Sequence, residues 1–168
     1  MIVAAGERVT LRRIAAGDLT EAVKHLYTLS IVEPLTELAR LQAAFAETGF
    51  WTEDAGAVAI TAEGRLVGTQ QFYRAGPGIH GYEIGYILHT EADRGKGYAS
   101  EALRLFGDLL FAERPACHRL QLIIETWNDA SVRLAEACGY QREGVLRRAG
   151  YSSDIPEDCF LYARVRGG

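Results

Sequence analysis

Three patterns stand back to back in the middle of this 168-residue chain, and few folds hold all three. Residues 82–88 are apolar and β-prone, and residues 92–99 run Ala-Asp-Arg-Gly-Lys-Gly-Tyr-Ala. Residues 97–111 then carry Ala99, Leu103, Phe106 and Leu110 on one helical stripe. The switch of apolar period, with glycines at the junction, marks a strand, a turn and a long amphipathic helix. Residues 119–126 are apolar again and read as a strand, so the helix returns the chain to a neighbouring strand of one sheet.

The flanking sequence completes the pattern. Residues 8–14 alternate apolar and polar side chains and predict a first strand. Asp18 is placed to cap a helix over 19–27, and residues 33–48 carry Leu35, Leu38, Leu41 and Phe45 at helical spacing, with 29–34 as the loop between. Residues 56–61 and 66–73 predict two strands joined by the hairpin signal Glu63-Gly64, and Ala75-Gly76-Pro77-Gly78 breaks the chain. Asn128 opens a shorter helix that Gly139 stops, and strands over 141–148 and 157–165 finish the chain. The order β-α-α-β-β-β-α-β-α-β-β predicts one α/β domain over residues 1–168, with a mixed sheet of about seven strands and helices on both faces.

Composition narrows the function. A domain of this size buries roughly 70% of its unfolded surface, so it needs neither disulfides nor a metal to fold. Cys117, Cys138 and Cys159 are widely spaced, without a C-x-x-C pair, and predict free thiols rather than a zinc site. Cys138 falls on an apolar helix face and reads as a small core residue. His25, His80, His89 and His118 share no helical spacing, and no metal is expected. A net charge of −4 argues against a broad nucleic-acid surface. No apolar run approaches the about 20 residues that span a bilayer, and Met1 to Arg8 lacks the charged and apolar regions of a signal peptide. The expectation is a cytoplasmic protein without nucleic-acid or membrane partners, monomeric or homodimeric.

The turn between strand and helix carries the chemistry. Glycines allow close backbone approach, the first N–H groups of a helix lack internal partners, and the helix dipole favours negative charge there. A pyrophosphate suits such a place, and Arg94 and Lys96 add charge to it. A P-loop would need Ser or Thr after Lys96, where Gly97 stands. A dinucleotide-binding turn would need Gly or Ala at Ser100; Glu125 lies near the distance of its acidic residue, but the strands before the turn are wrongly arranged.

Arg94-x-x-Gly97-x-Ala99 resembles the R/Q-x-x-G-x-G/A signature of the GNAT acetyltransferases, which cradles the pyrophosphate of coenzyme A. The run from Asn128 through Ser131 to Gly139-Tyr140 resembles that family's second block, an Asn-led helix ending in Gly and an aromatic. The opening Gly6-Glu7-Arg8-Val9-Thr10-Leu11-Arg12 is similar to the start of the ribosomal-protein (RimJ/RimL-like) branch. The resemblance covers nearly the whole chain. It implies a GNAT fold whose strands splay to form a cofactor cleft, and an acetyl-CoA-dependent N-acetyltransferase acting on a primary amine.

It also implies the site. Arg94, Gly95, Lys96, Gly97, Tyr98, Ala99 and Asn128 would hold the cofactor, and the pantetheine arm would pair with the backbone of Tyr86, Ile87 and Leu88. The amide of Ile87 or Leu88 would stabilise the oxyanion. Glu83 and Glu125 are the candidate bases, each alternatively an ordinary strand residue. Many family members protonate the leaving thiolate with a tyrosine seven residues after the motif asparagine; Ala135 stands there, which leaves Ser131, or a Ser131 that only bonds backbone. Asn128 is a helix cap, a cofactor contact, or both; Tyr140 and Tyr151 are reserve acids or buried structural tyrosines. The acceptor would meet residues 30–35 and 150–157, where Asp154 and Glu157 favour a cation. It would be a protein N-terminus or a small amine such as an antibiotic, a polyamine or a biosynthetic intermediate. The alternatives are a carrier-protein-bound acyl donor and a non-catalytic acyl-CoA-binding module.

Overall fold

The structure is a computed structural model, and it describes residues 1–22, 38–150 and 156–168. Eight strands form one sheet: β1 (Ile2–Ala5), β2 (Thr10–Arg13), β3 (Ala55–Ala62), β4 (Arg65–Arg74), β5 (Gly81–Leu88), β6 (Arg119–Glu125), β7 (Gln141–Gly150) and β8 (Glu157–Val165). Their order is β1-β2-β3-β4-β5-β6-β8-β7. Among the described strands only β5 and β6 run parallel, because α3 (Tyr98–Glu113) carries the chain across between them. The other described helices are α1 (Leu19–Ala22), α2 (Leu38–Thr48) and α4 (Asp129–Ala137). No described helix is long and apolar enough to cross a membrane.

Alternation along the strands divides the core in two. Val58 and Ile60 of β3 join Tyr82, Ile84, Leu120 and Leu122 beneath α3 and α4. Ala57 and Ala59 face the other way and pack with Leu19 of α1, Leu41 of α2 and Phe50. The helices therefore cover both faces, as predicted. On α3, Tyr98, Ala102, Leu103, Phe106, Gly107 and Leu110 are buried; Ala99, expected on that stripe, is half-buried beside it.

The hairpin at Glu63-Gly64 forms as expected, with φ of 52° and 77° at its two residues, the left-handed pair that suits a two-residue turn. Asn128 caps α4 by accepting from the Ser131 N–H at 3.1 Å, and Gly139 follows the helix at φ 82°. The sequence reading missed β1. Its four residues show no alternation, and their ladder is made only with β2. The loop expected over 29–34, the acceptor residues 30–35, and Tyr151 to Asp154 lie outside the described residues, as do parts of the first two predicted helices.

Candidate functional site

The site is built by a disagreement between neighbouring strands. β5 and β6 pair only at Gly81/Arg119, Tyr82/Leu120 and Glu83/Gln121. Beyond that point β5 follows β4 up to Leu88 and β6 follows β8 up to Glu125, and the two part. A cavity of about 170 Å³ opens between them, bordered by Glu83, Ile84, Tyr86, Ile124, Glu125, Asn128 and Ser131 among others.

Ladder parity decides which main-chain groups face the gap. His89 N–H donates to Val67 C=O at 2.9 Å, so in the alternating antiparallel ladder Ile87 and Gly85 also turn toward β4. Ile84, Tyr86 and Leu88 turn toward the gap. Of the three strand residues expected to meet the pantetheine arm, Tyr86 and Leu88 have the right orientation. Ile87 does not: its main chain pairs with Thr69, and the expectation that its amide serves the oxyanion is corrected.

Side chains alternate across the sheet in the same way, and the gap joins two chemically different faces. Tyr86 lies on the α3/α4 face, with Asn128 and Ser131. Glu83 lies on the opposite face, where the Tyr73 hydroxyl donates to its Oε1 and the Gln121 amide donates to Oε2 at 3.0 Å. Glu83 is 8% exposed. Glu125 borders the same cleft, half-buried, and no hydrogen-bond donor reaches its carboxylate among the described residues. Tyr73, Gln121 and Gln71 escape sequence reading because nothing local fixes which residues of β4 and β6 lie opposite Glu83.

At the other end of β5 lies the glycine-rich turn. Gly95 and Gly97 take φ of 74° and 81°, a conformation that excludes most side chains. The first helical bond of α3 runs from Glu101 N–H to Gly97 C=O at 3.1 Å. Among the described residues no side chain accepts from the amides of residues 95–100, so these N–H groups stay available to an outside anion. The Arg94 and Lys96 side chains are roughly half to two-thirds exposed at the rim. Tyr98 is instead buried, with the Lys96 ammonium 5.8 Å from its ring centre.

Two anchors set the turn's shape. Asp93 is 1% exposed and takes a bidentate grip from Arg65, a hydrogen bond from the Thr90 hydroxyl at 2.8 Å, and Lys96 at 3.9 Å. The Arg65 guanidinium and then the Thr90 hydroxyl hold its carboxyl down to about 2. Glu101, in the first turn of α3, accepts the main-chain N–H groups of Glu7, Arg8 and Val9 at 2.7–2.9 Å. Burial raises its pKa, but those three donors outweigh it and leave the carboxyl below its usual range. This clamp sets the Arg8 side chain over Gly97, where an added Cβ would lie 3.7 Å from the guanidinium. Arg8 is thus a fourth cation at the turn. Only tertiary structure brings it there, and no local signal marks it.

Ser131 makes no hydrogen bond from its hydroxyl to the main chain among the described residues; its N–H donates to Asn128 Oδ1. Ala135 is fully buried. Tyr140 is buried too, its hydroxyl beside Gly107 of α3 rather than in the cleft lining, and burial raises its pKa. The three cysteines are free and buried. Among the described residues no three His, Cys, Asp or Glu side chains gather as a metal site.

A strand that leaves its parallel neighbour beside an uncapped, glycine-rich helix start is the geometry expected from the motifs. The family model of the Acetyltransferase (GNAT) domain matches residues 8–141. The chain belongs to the GNAT acetyltransferase family. Two relatives illustrate the likeness. The uncharacterized N-acetyltransferase YoaA of Bacillus subtilis is 34% identical over 101 residues, 60% of this chain and 56% of that protein. The ribosomal-protein-serine acetyltransferase of Escherichia coli is 32% identical over 106 residues, 63% of this chain and 58% of that protein. Both matches span little more than half of the relative's own length. The fold is shared with a GNAT acetyltransferase of Bacillus anthracis (24% identity, TM-score 0.75, 98% of each chain). It is shared also with RimL, a ribosomal L7/L12 α-N-protein acetyltransferase solved with coenzyme A (20% identity, TM-score 0.79, 98% of each chain).

Proposed function

We propose that this chain is an N-acyltransferase that moves an acetyl group from acetyl-CoA to a primary amine by direct attack in a ternary complex. The observation that carries the reading is the junction of the open edge of β5 with the uncapped amides of residues 95–100. A pantetheine-linked diphosphate needs such an edge and such a cradle in sequence, and Arg8, Arg94 and Lys96 supply cations at the second. The main-chain groups of Tyr86 and Leu88 face the arm, and the Leu88 amide, at the strand end, is the donor for the oxyanion.

The acceptor enters from the Glu83 face. That side of the cleft is lined by Gln71, Tyr73, Glu83 and Glu125, with no basic side chain among the described residues, which suits a cationic amine. Glu125, with no donor on its carboxylate among the described residues, takes the amine proton, directly or through water. Glu83 is held in place beside the gap by Tyr73 and Gln121. A protein α-amine, near pKa 8, needs less help than a lysine amine near 10.4, and Glu125 acting as the one base fits the easier task. The ribosomal-protein acetyltransferase relative supports that branch and acceptor class. On the α3/α4 face, the Ser131 hydroxyl donates to the leaving sulfur. Three buried free thiols support a reducing, cytoplasmic setting.

Coenzyme A release from acetyl-CoA, measured with a peptide N-terminus, spermidine, an aminoglycoside and free lysine, tests the assignment. Turnover with at least one amine is expected, and Glu125→Gln should lower kcat by about 100-fold or more, with Glu83→Gln falling less. Binding without turnover by any amine would instead mean a non-catalytic acyl-CoA module.

A further inference from the structure

A line of side-chain hydrogen bonds runs from β7 to Glu83 in the cleft wall. β7 bulges at Glu143: Arg142 pairs with Tyr162 and Gly144 with Leu161, so Glu143 is the extra residue between them. A bulge of this kind re-aims a side chain. Glu143 reaches past β8 to Arg119 of β6 and accepts from both terminal guanidinium nitrogens, at 2.9 and 2.6 Å. The Arg119 Nε–H donates instead to Gln121 Oε1 at 3.2 Å. Arg119 and Gln121 stand two apart on one strand and so share a face. Gln121 Nε2 then donates to Glu83 Oε2 at 3.0 Å, across the last paired position before β5 and β6 part.

The polarity of this line is forced. A guanidinium only donates, so the amide beside it must turn its oxygen toward Arg119. The amide nitrogen is then left for Glu83. Without Arg119 either end of the amide could face the carboxylate, and the oxygen end would repel it. Tyr73 fixes the other carboxylate oxygen. A carboxylate offers about four lone-pair sites, and these two donors leave the rest open to a ligand. Glu83 borders the cavity, whereas Gln121 is buried behind it and is not part of the lining. We propose that Arg119 is a positioning residue for the acceptor: by turning the Gln121 amide it fixes the plane of the Glu83 carboxylate, which accepts an N–H of the incoming ammonium. No bond is made or broken in this step, and the amine proton still goes to Glu125.

The role rests on the acetyl-transfer reading above. Its test is steady-state kinetics with the fastest of the four amines named there (peptide N-terminus, spermidine, aminoglycoside or lysine). Arg119→Lys keeps a cation for Glu143 but has no Nε–H for Gln121. Gln121→Leu removes the amide. Each should raise KM for the amine about fivefold, the loss of one hydrogen bond, with kcat and KM for acetyl-CoA unchanged. The double variant should go no further, because the two act in series. Exchanging the side chains, Glu83→Gln with Gln121→Glu, keeps every bond of the line but moves the carboxylate behind the cleft wall. Tm should then exceed that of Gln121→Leu, while KM for the amine stays raised. If KM for the amine is unmoved in the single variants, or rises in step with KM for acetyl-CoA, the line only ties the two strands together and Arg119 has no positioning role. A side-chain exchange that restores KM would overturn it equally. A wild-type protein that turns over no amine would sink the acetyl-transfer reading, and this role with it.

Discussion

At the residue scale, the shape of the glycine-rich turn, the proposed diphosphate cradle, depends on a buried carboxylate beside it. Asp93 is buried directly before the glycines, and Arg65 of β4 grips it with both guanidinium nitrogens. A carboxylate held at about 2, against an ordinary value near 3.9, stabilises the fold above pH 4. That contribution is lost as pH falls through about 2. Asp93→Asn should therefore lower Tm at pH 7, and the gap to wild type should close between pH 4 and 2 in calorimetric scans. An amide cannot hold Arg65 as an ion pair, so the turn also loosens and KM for acetyl-CoA should rise several-fold with kcat little changed. A Tm gap that stays constant down to pH 2 would remove the ion pair from the account. Nothing local announces Asp93: Arg65 lies 28 residues away in the chain, and only the β4–β5 ladder brings the two together.

Elements with their own periodicity could be read from the sequence, and elements defined by their neighbours could not. α3 and α4 carry helical stripes and begin or end at glycine or asparagine, which local sterics alone dictate. The cap on α4 allows a direct check. Asn128→Ala should cost about 1 kcal/mol in urea unfolding, and Asn128→Ser should restore most of it, since either side chain can accept the Ser131 N–H. Because the same bond fixes Ser131, kcat should follow stability in the two variants. If Asn128→Ser restored stability yet raised KM for acetyl-CoA, the side chain would also touch the co-substrate. By contrast, β1 has no alternation to betray it, and β8 inserts between β6 and β7 although β7 comes first in the chain. The orientation of Ile87 was hidden for the same reason: which strand its amide meets depends on register with β4, which no run of seven residues contains. The Gly-rich turn, Glu83, Glu125, Asn128 and Ser131 were all visible in the sequence. Their division between two faces of the sheet was not.

At the scale of the molecule, the sheet is two ladders, β1 to β5 and β6 to β8, joined by three parallel register positions and by α3. A co-substrate lying along the free edge of β5 with its diphosphate at the start of α3 binds only when both ladders are in place. Its binding energy is therefore folding energy. At a hundredfold excess over Kd it adds about 2.7 kcal/mol, which for a chain of this size raises Tm by roughly 5–11 °C. Gly97→Val separates the fold from the ligand. Among the described residues a Cβ at Gly97 would come nearest to Arg8, at 3.7 Å, an ordinary contact, so the unliganded variant suffers mainly from φ of 81°. That strain costs on the order of 1–3 kcal/mol. On the proposed reading the larger effect falls on the ligand, since the added methyls would stand where a diphosphate approaches the amides of residues 95–100. The variant should thus fold with a lowered Tm and show no rise with acetyl-CoA, while Gly97→Asn, which tolerates a left-handed backbone, should recover most of the lost Tm but little of the rise. A full ligand-induced rise in Gly97→Val would mean that the diphosphate is held elsewhere, and that the free edge of β5 and the turn are not one site.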